Sequence, residues 1–215
     1  KLKKIMFKYL GILNFIIILL INTSSKGEIS FKPLFDQSEK LFAKKILEVM
    51  PSLNTMKLGN EDSQNIIVEF IDYNCGYCKA IHSELISLTE KENLDLVIYF
   101  YQFPILSESS RKYAKTLLTI ADTDKEKAIK VHNDLMNISG SLNESKFNNI
   151  LIENDINIDS LQNQMDNIKF DEMLEVTYYL AKRIGGSGTP LLIINNFVEQ
   201  GYLKEQEILK IIDNY

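Results

Sequence analysis

The sequence predicts an α/β fold: a strand–helix–strand unit, a run of helices, and a closing β-hairpin with a final helix. Three observations carry that expectation. An apolar run at 66–71 leads into an amphipathic pattern at 79–92 and then a second apolar run at 94–101. After Phe103-Pro104 the periodicity is helical for some eighty residues. The stretch Gly185-Gly186-Ser187-Gly188 ends it, and two short apolar runs follow around Asn195-Asn196.

The elements follow in order. Lys1, Lys3, Lys4 and Lys8 flank a stretch at 11–21 that is apolar apart from Asn14, and Thr23-Ser24-Ser25-Lys26-Gly27 comes next. That order predicts a secretory signal peptide over 1–25, cut after Ser25 or after Gly27. The alternative is an uncleaved N-terminal anchor. No cysteine stands near the cut, which argues against a lipoprotein. Residues 26–60 form an N-terminal extension with one helix over 31–50. Asp36 or Ser38 would cap it, Leu41, Phe42, Ile46, Val49 and Met50 give its apolar positions, and Pro51 stops it. It packs on the main domain or, alternatively, serves dimerisation.

The run 66–71 is apolar except for Glu69, as a strand buried on both faces requires. The helix after it starts at Cys75 or Gly76, with Asn74 as N-cap, and buries Cys78, Ile81, Leu85 and Leu88. The strand at 94–101 completes a βαβ unit with parallel strands. Helices are predicted over 109–121, 125–136, 144–152 and 160–184. Asn148, Asn149, Asn163 and Asn167 lower their propensity without interrupting the pattern. Neither a repeat nor a linker is visible, so 108–184 reads as an inserted helical subdomain between a first part at 61–107 and a second at 185–215. The second part is a strand at 191–195, a tight turn at Asn195-Asn196, a partner strand at 197–199 and a helix at 203–213.

Charge and cysteine usage narrow the function. The net charge is −5, and loss of the four lysines with residues 1–25 makes it −9. An acidic chain argues against nucleic acid as a partner. Cys75 and Cys78 are the only two cysteines. A Cys-x-x-Cys loop is too small to staple a fold, so the pair is kept for reactivity; metal binding and an inert pair are the alternatives. Cys75, at the helix start where the dipole favours a thiolate and solvent has access, is the candidate nucleophile. Cys78, one turn in on the apolar face, is the candidate resolving thiol. Gly76 keeps the turn permissive. His82 and His132 would complete four formal metal ligands, but the spacing is poor. They read as surface or boundary residues, and no metal or cofactor is expected.

The phrase Glu69-Phe70-Ile71-Asp72-Tyr73-Asn74-Cys75-Gly76-Tyr77-Cys78-Lys79, with Thr189-Pro190 ahead of the hairpin, resembles the DsbA-like branch of the thioredoxin superfamily and its bacterial group with a Cys-Gly-Tyr-Cys site. The resemblance covers residues 65–215. It implies a thioredoxin fold with a helical insertion between the βαβ unit and the C-terminal ββα unit. It implies that Thr189-Pro190 is a cis-proline loop facing the cysteines, the alternative being an ordinary trans proline. Thr189, Gly76 and Tyr77 would then contact substrate. Glu69 would be a buried acid behind the pair, exchanging a proton with the resolving thiol; the alternative is a solvent-facing edge residue. Many relatives pair this acid with a lysine on the next strand. Here Tyr99, Phe100, Tyr101 and Gln102 stand in that region, leaving Glu69 unpaired or served by a tyrosine hydroxyl.

The activity implied is that of an oxidase, acting in the bacterial periplasm or from an inner-membrane anchor. It would donate its disulfide to reduced exported polypeptides and be reoxidised by a membrane quinone-linked partner resembling DsbB. A reductase or isomerase, and a non-catalytic peptide-binding module, are the other readings. A monomer is expected. Tyr77 stands where the strongest oxidases of the family carry a histidine, which implies a milder oxidant.

Overall fold

In the computed structural model, which describes residues 22–23, 29–30, 42–53 and 55–214, the strand β2 (Asn65–Ile71) lies at the centre of a five-stranded sheet. The other strands are β1 (Lys57–Gly59), β3 (Leu96–Gln102), β4 (Leu191–Ile194) and β5 (Phe197–Gln200), in the order β1-β3-β2-β4-β5. β2 runs parallel to β3 and antiparallel to β4, so Glu69 stands opposite Phe100 on one side and Leu192 on the other. Both faces of β2 are covered, which is why its sequence from Ile66 on is apolar apart from Glu69. β1 was not expected from the sequence. Three residues, Lys57-Leu58-Gly59, are too few to show a period of two, and only pairing with β3 makes them a strand. At Gly59 φ is +90°, and a Cβ would meet the Leu96 carbonyl oxygen at 2.2 Å, so only glycine fits.

The chain divides into two units, Lys1–Glu39 and Lys40–Tyr215. In the first, Asn22–Thr23 pairs antiparallel with Ile29–Ser30. The apolar stretch at 11–21, most of the expected signal segment, and the helix starts at Asp36 or Ser38 lie outside the described residues. Of the helix expected at 31–50, α1 (Phe42–Val49) is described, followed by a 3-10 turn at Pro51–Leu53. Among the described residues no helix is long and apolar enough to cross a membrane.

α2 (Gly76–Thr89) joins β2 to β3. Its Cys78, Ile81, Leu85 and Leu88 share one apolar cluster with Ile67 and Ile71 of β2, Leu192 and Ile194 of β4, and Ile208 and Ile212 of α8 (Glu205–Asp213). Each such aliphatic side chain contributes roughly 1.5–3 kcal/mol by leaving water. Between β3 and β4 run α3 (Glu108–Thr123), α4 (Lys125–Met136), α5 (Glu144–Glu153), α6 (Ile158–Met165) and α7 (Ile168–Arg183). The single helix expected at 160–184 is two helices. Asn167 breaks it, because its side chain accepts the Lys169 N–H at 3.2 Å and starts α7 as an N-cap. Asp124, Asn143 and Asn157 cap α4, α5 and α6 in the same way. α7 ends in a Schellman motif: Gly186 N–H reaches the Ala181 carbonyl at 2.8 Å, and Gly185 N–H reaches that of Lys182 at 3.1 Å. Gly185 supplies the φ of +90° that the motif needs. This turn delivers the chain to Thr189-Pro190.

His82 and His132, expected at the surface or its boundary, are buried, with 1% and 0% exposure. α4 packs back over α2 and brings the two rings to 5.0 Å, with His132 also 4.1 Å from the Phe100 ring. His132 Nδ1 pairs with the Tyr73 hydroxyl at 3.0 Å, and Gln102 donates to that hydroxyl at 3.3 Å. Burial presses both imidazoles toward the neutral form, His82 down to about 4 and His132 well below the usual range. At His132 the charge of the neighbouring His82 ring adds to the effect of burial. A histidine whose pKa is depressed on folding binds more protons when unfolded, so stability falls as pH drops below about 6.5. The slope reaches about 1.4 kcal/mol per pH unit for each histidine, and for His82 it levels off near pH 4. Urea unfolding between pH 7 and 4 should therefore show acid destabilisation that is shallower in His82→Leu. An unchanged slope in the variant would contradict this account.

Candidate active site

The cysteines stand where the central strand gives way to α2. Cys75 N–H donates to the Asp72 carbonyl at 2.9 Å, which closes a turn straight after Ile71. Cys75, with φ −81° and ψ 113°, is itself the N-cap: its Sγ accepts the Cys78 N–H at 3.0 Å. The expected cap, Asn74, does other work. Its side-chain amide donates to the Ser107 and Ser110 hydroxyls, each at 2.9 Å. Asp72, 1% exposed, accepts from Asn74 N–H at 2.8 Å, Ser110 Oγ at 2.7 Å, and the Ile105 and Leu106 N–H groups, each at 2.9 Å. The cysteine turn is thus bolted to the start of α3 and to the segment that leaves β3.

The two thiols, both free, sit in different environments. Cys75 is 4% exposed and Cys78 wholly buried, so the nucleophile is less open than the sequence implies. The Cys75 pKa is drawn down to about 6. The hydrogen bond with the Cys78 thiol acts first, and the N–H groups of Cys78 and Tyr77 also favour the thiolate, while burial opposes it. As a thiol, Cys75 donates to the Thr189 carbonyl at 3.3 Å, a contact that favours the protonated form and is outweighed by those donors. Burial pushes the Cys78 thiol strongly upward, and its hydrogen bond to Cys75 and the Glu69 charge add to that. Gly76 and Tyr77 are exposed, Tyr77 by 70%.

The Thr189–Pro190 bond is cis, and Pro190 is buried with its carbonyl accepting Gly201 N–H at 2.9 Å. Glu69 is fully buried in the central strand rather than at an edge. Among the described residues neither of its oxygens has a hydrogen-bond partner, whether a lysine or a tyrosine hydroxyl. It shares a strand face with Ile67 and Ile71, which pack in the cluster containing both cysteines. Burial holds its carboxyl well above the usual range, and the Cys75 charge raises it further. Among the described residues no three His, Cys, Asp or Glu side chains converge as a metal site requires.

Residues 52–214 match the thioredoxin family model. This chain belongs to the thioredoxin family. A probable thiol:disulfide interchange protein DsbC of Bordetella avium (strain 197N) is 32% identical over 106 residues; the match takes in 49% of this chain and only 35% of that protein. Two solved thioredoxin-like structures overlay with TM-scores of 0.68. The thiol-disulfide exchange protein alpha-DsbA2 from Wolbachia pipientis is 28% identical and covers 80% of this chain and 94% of its own. A thioredoxin-like oxidoreductase from Silicibacter pomeroyi DSS-3 is 26% identical, covering 74% and 90%. The mixed α/β architecture is that of the thioredoxin fold.

Sequence reasoning gave no role to Asp72, Tyr73 or Gln102. Asp72 alone had a signal, an acid placed directly between a buried strand and a helix start. The raised Glu69 carboxyl has a thermodynamic consequence. Between its unfolded and folded pKa values the unfolded chain has lost a proton that the folded one keeps, so stability falls as pH rises from about 4.5. Glu69→Gln removes that loss. Its stability advantage over the native chain should grow above pH 4.5 by up to about 1.4 kcal/mol per pH unit, and vanish below it. Parallel stability curves for the two proteins would contradict the assignment.

Proposed function

We propose that this protein is an exported thiol:disulfide oxidoreductase that introduces disulfides into newly exported polypeptides through Cys75 and Cys78. The observation that carries the reading is the opposed ionisation of the pair, with Cys75 down to about 6 and Cys78 pushed up beside Glu69. In the oxidised protein, a substrate thiolate attacks Cys75 Sγ. The Cys75–Cys78 bond breaks, and Cys78 leaves with the electron pair and takes a proton, for which the neutral Glu69 carboxyl is the nearby source. A second substrate thiol, after losing its proton, attacks the substrate sulfur of the mixed disulfide and expels Cys75 as a thiolate. Two electrons pass from substrate to protein. A low pKa makes Cys75 a good leaving group and so favours release of oxidised substrate.

The substrate strand lies along the Thr189-Pro190 loop beside Gly76 and Tyr77. On this reading 108–184 is an insertion between the two parts of the thioredoxin fold at 61–107 and 185–215. Reoxidation falls to a membrane quinone-linked protein resembling DsbB, and the setting is the periplasm, with an N-terminal anchor as the variant of that location. The similarity to a DsbC supports a second reading, disulfide isomerisation by the same residues.

Tyr77, exposed by 70%, brings no positive charge to the thiolate. The reduction potential should therefore lie at about −240 to −150 mV, between thioredoxin and the strongest oxidases. Equilibration with glutathione measures it, and trapping adds the chemistry: Cys78→Ser, with Cys75 first converted to its glutathione mixed disulfide, should accumulate mixed disulfides with a reduced substrate protein as glutathione leaves, and Cys75→Ser treated in the same way should form none. A potential below about −270 mV would make the protein a reductase. Mixed disulfides in Cys75→Ser would overturn the nucleophile assignment.

A further inference from the structure

A groove of about 550 Å3 opens between α7 and the segment that leaves β3. Two of its walls belong to the segments that hold Cys75. Ile105 donates to the carboxylate of Asp72, whose carbonyl accepts Cys75 N–H. Ser187 lies two residues before Thr189, whose carbonyl is 3.3 Å from Cys75 Sγ. The floor is apolar. Phe103 and Leu174 are buried, and Tyr178 lies 5.9 Å from Phe103 with 41% of its surface exposed. Leu174, Tyr178 and Lys182, spaced by four, form one stripe about 12 Å long on α7.

The charges along this groove are unevenly committed. Arg111 is held by Asp171 at 2.9 Å and Glu175 at 3.4 Å, and Lys115 holds the other oxygen of Asp171 at 2.9 Å, so two cations and two carboxylates are spent on each other. Lys182 forms no ion pair among the described residues, and its Nζ lies 5.6 Å from the Tyr178 ring. A cation in the last turn of a helix is explained by the dipole alone. The dipole does not explain its place against an exposed aromatic side chain, on the last turn before the Thr189 loop.

We propose that this groove seats the segment of a reduced polypeptide next to its reactive cysteine, with an apolar side chain on Leu174 and Tyr178 and a carboxylate on Lys182. The inference rests on the exchange reading above and gives it a substrate preference, for cysteines flanked by acidic rather than basic residues. The net charge of −5 works against acidic peptides at long range, so a local preference must come from the groove.

The test uses the oxidised full chain and reduced peptides with one cysteine, one leucine and either aspartate or lysine, placed on either side of the cysteine. The aspartate peptides should react roughly two- to five-fold faster in one of the two orientations. The preference should persist in Lys182→Arg, reverse in Lys182→Glu and fade in 0.5 M salt. Equal rates for both peptides, or a preference unaltered by Lys182→Glu, would overturn the proposal. Reduced glutathione, too short to span the groove, separates the two levels. Exchange with glutathione without a peptide preference removes the groove alone; no exchange with glutathione removes the exchange reading and the groove with it.

Discussion

A single hydrogen bond, from the Cys78 N–H to the Cys75 sulfur at 3.0 Å, organises this molecule. Helix starts leave backbone N–H groups without partners, and an oxygen side chain usually satisfies one of them. Here a sulfur does so. The helix gains its cap, and the sulfur gains donors that hold negative charge. Because Cys75 is spent as the cap, Cys78 falls on the buried face one turn later, where ionisation is opposed. One geometric choice thus fixes which thiol is a thiolate and which is not.

The rest of the fold keeps that geometry in place. Asp72 gathers four donors from the turn, from α3 and from the segment after β3, so the cap cannot drift. The Schellman turn after α7 brings the Thr189 carbonyl against the same sulfur. Behind them a buried carboxyl and two buried imidazoles are all biased toward their neutral forms. Charge is stabilised at Cys75 and disfavoured in the layer beneath it, and that contrast makes the pair asymmetric.

Much of this was legible in the sequence. A strand covered on both faces must be nearly all apolar, so 66–71 was visible, and Glu69 stood out because it broke the pattern. The Gly185 to Gly188 stretch marked a helix end because a positive φ calls for glycine. What stayed hidden depended on distant residues. β1 exists only through its pairing with β3. Asn167 sits inside one helical pattern, and only its side-chain bond to the Lys169 N–H shows it to be a cap. His82 and His132 looked like surface or boundary residues because only the return of α4 over α2 buries them. Asp72 showed an acid beside a cysteine turn, but three of its four donors lie more than thirty residues away.

The reduction potential measured as a function of pH tests the cap most directly. If Cys75 ionises near 6 while Cys78 stays protonated, reduction takes up two protons below that pH and one above it. The potential should then fall by about 59 mV per pH unit below pH 6 and by about 30 mV per unit from pH 6 to 8. A single slope of about 59 mV per unit up to pH 8 would mean that Cys75 is an ordinary thiol, and would contradict the account.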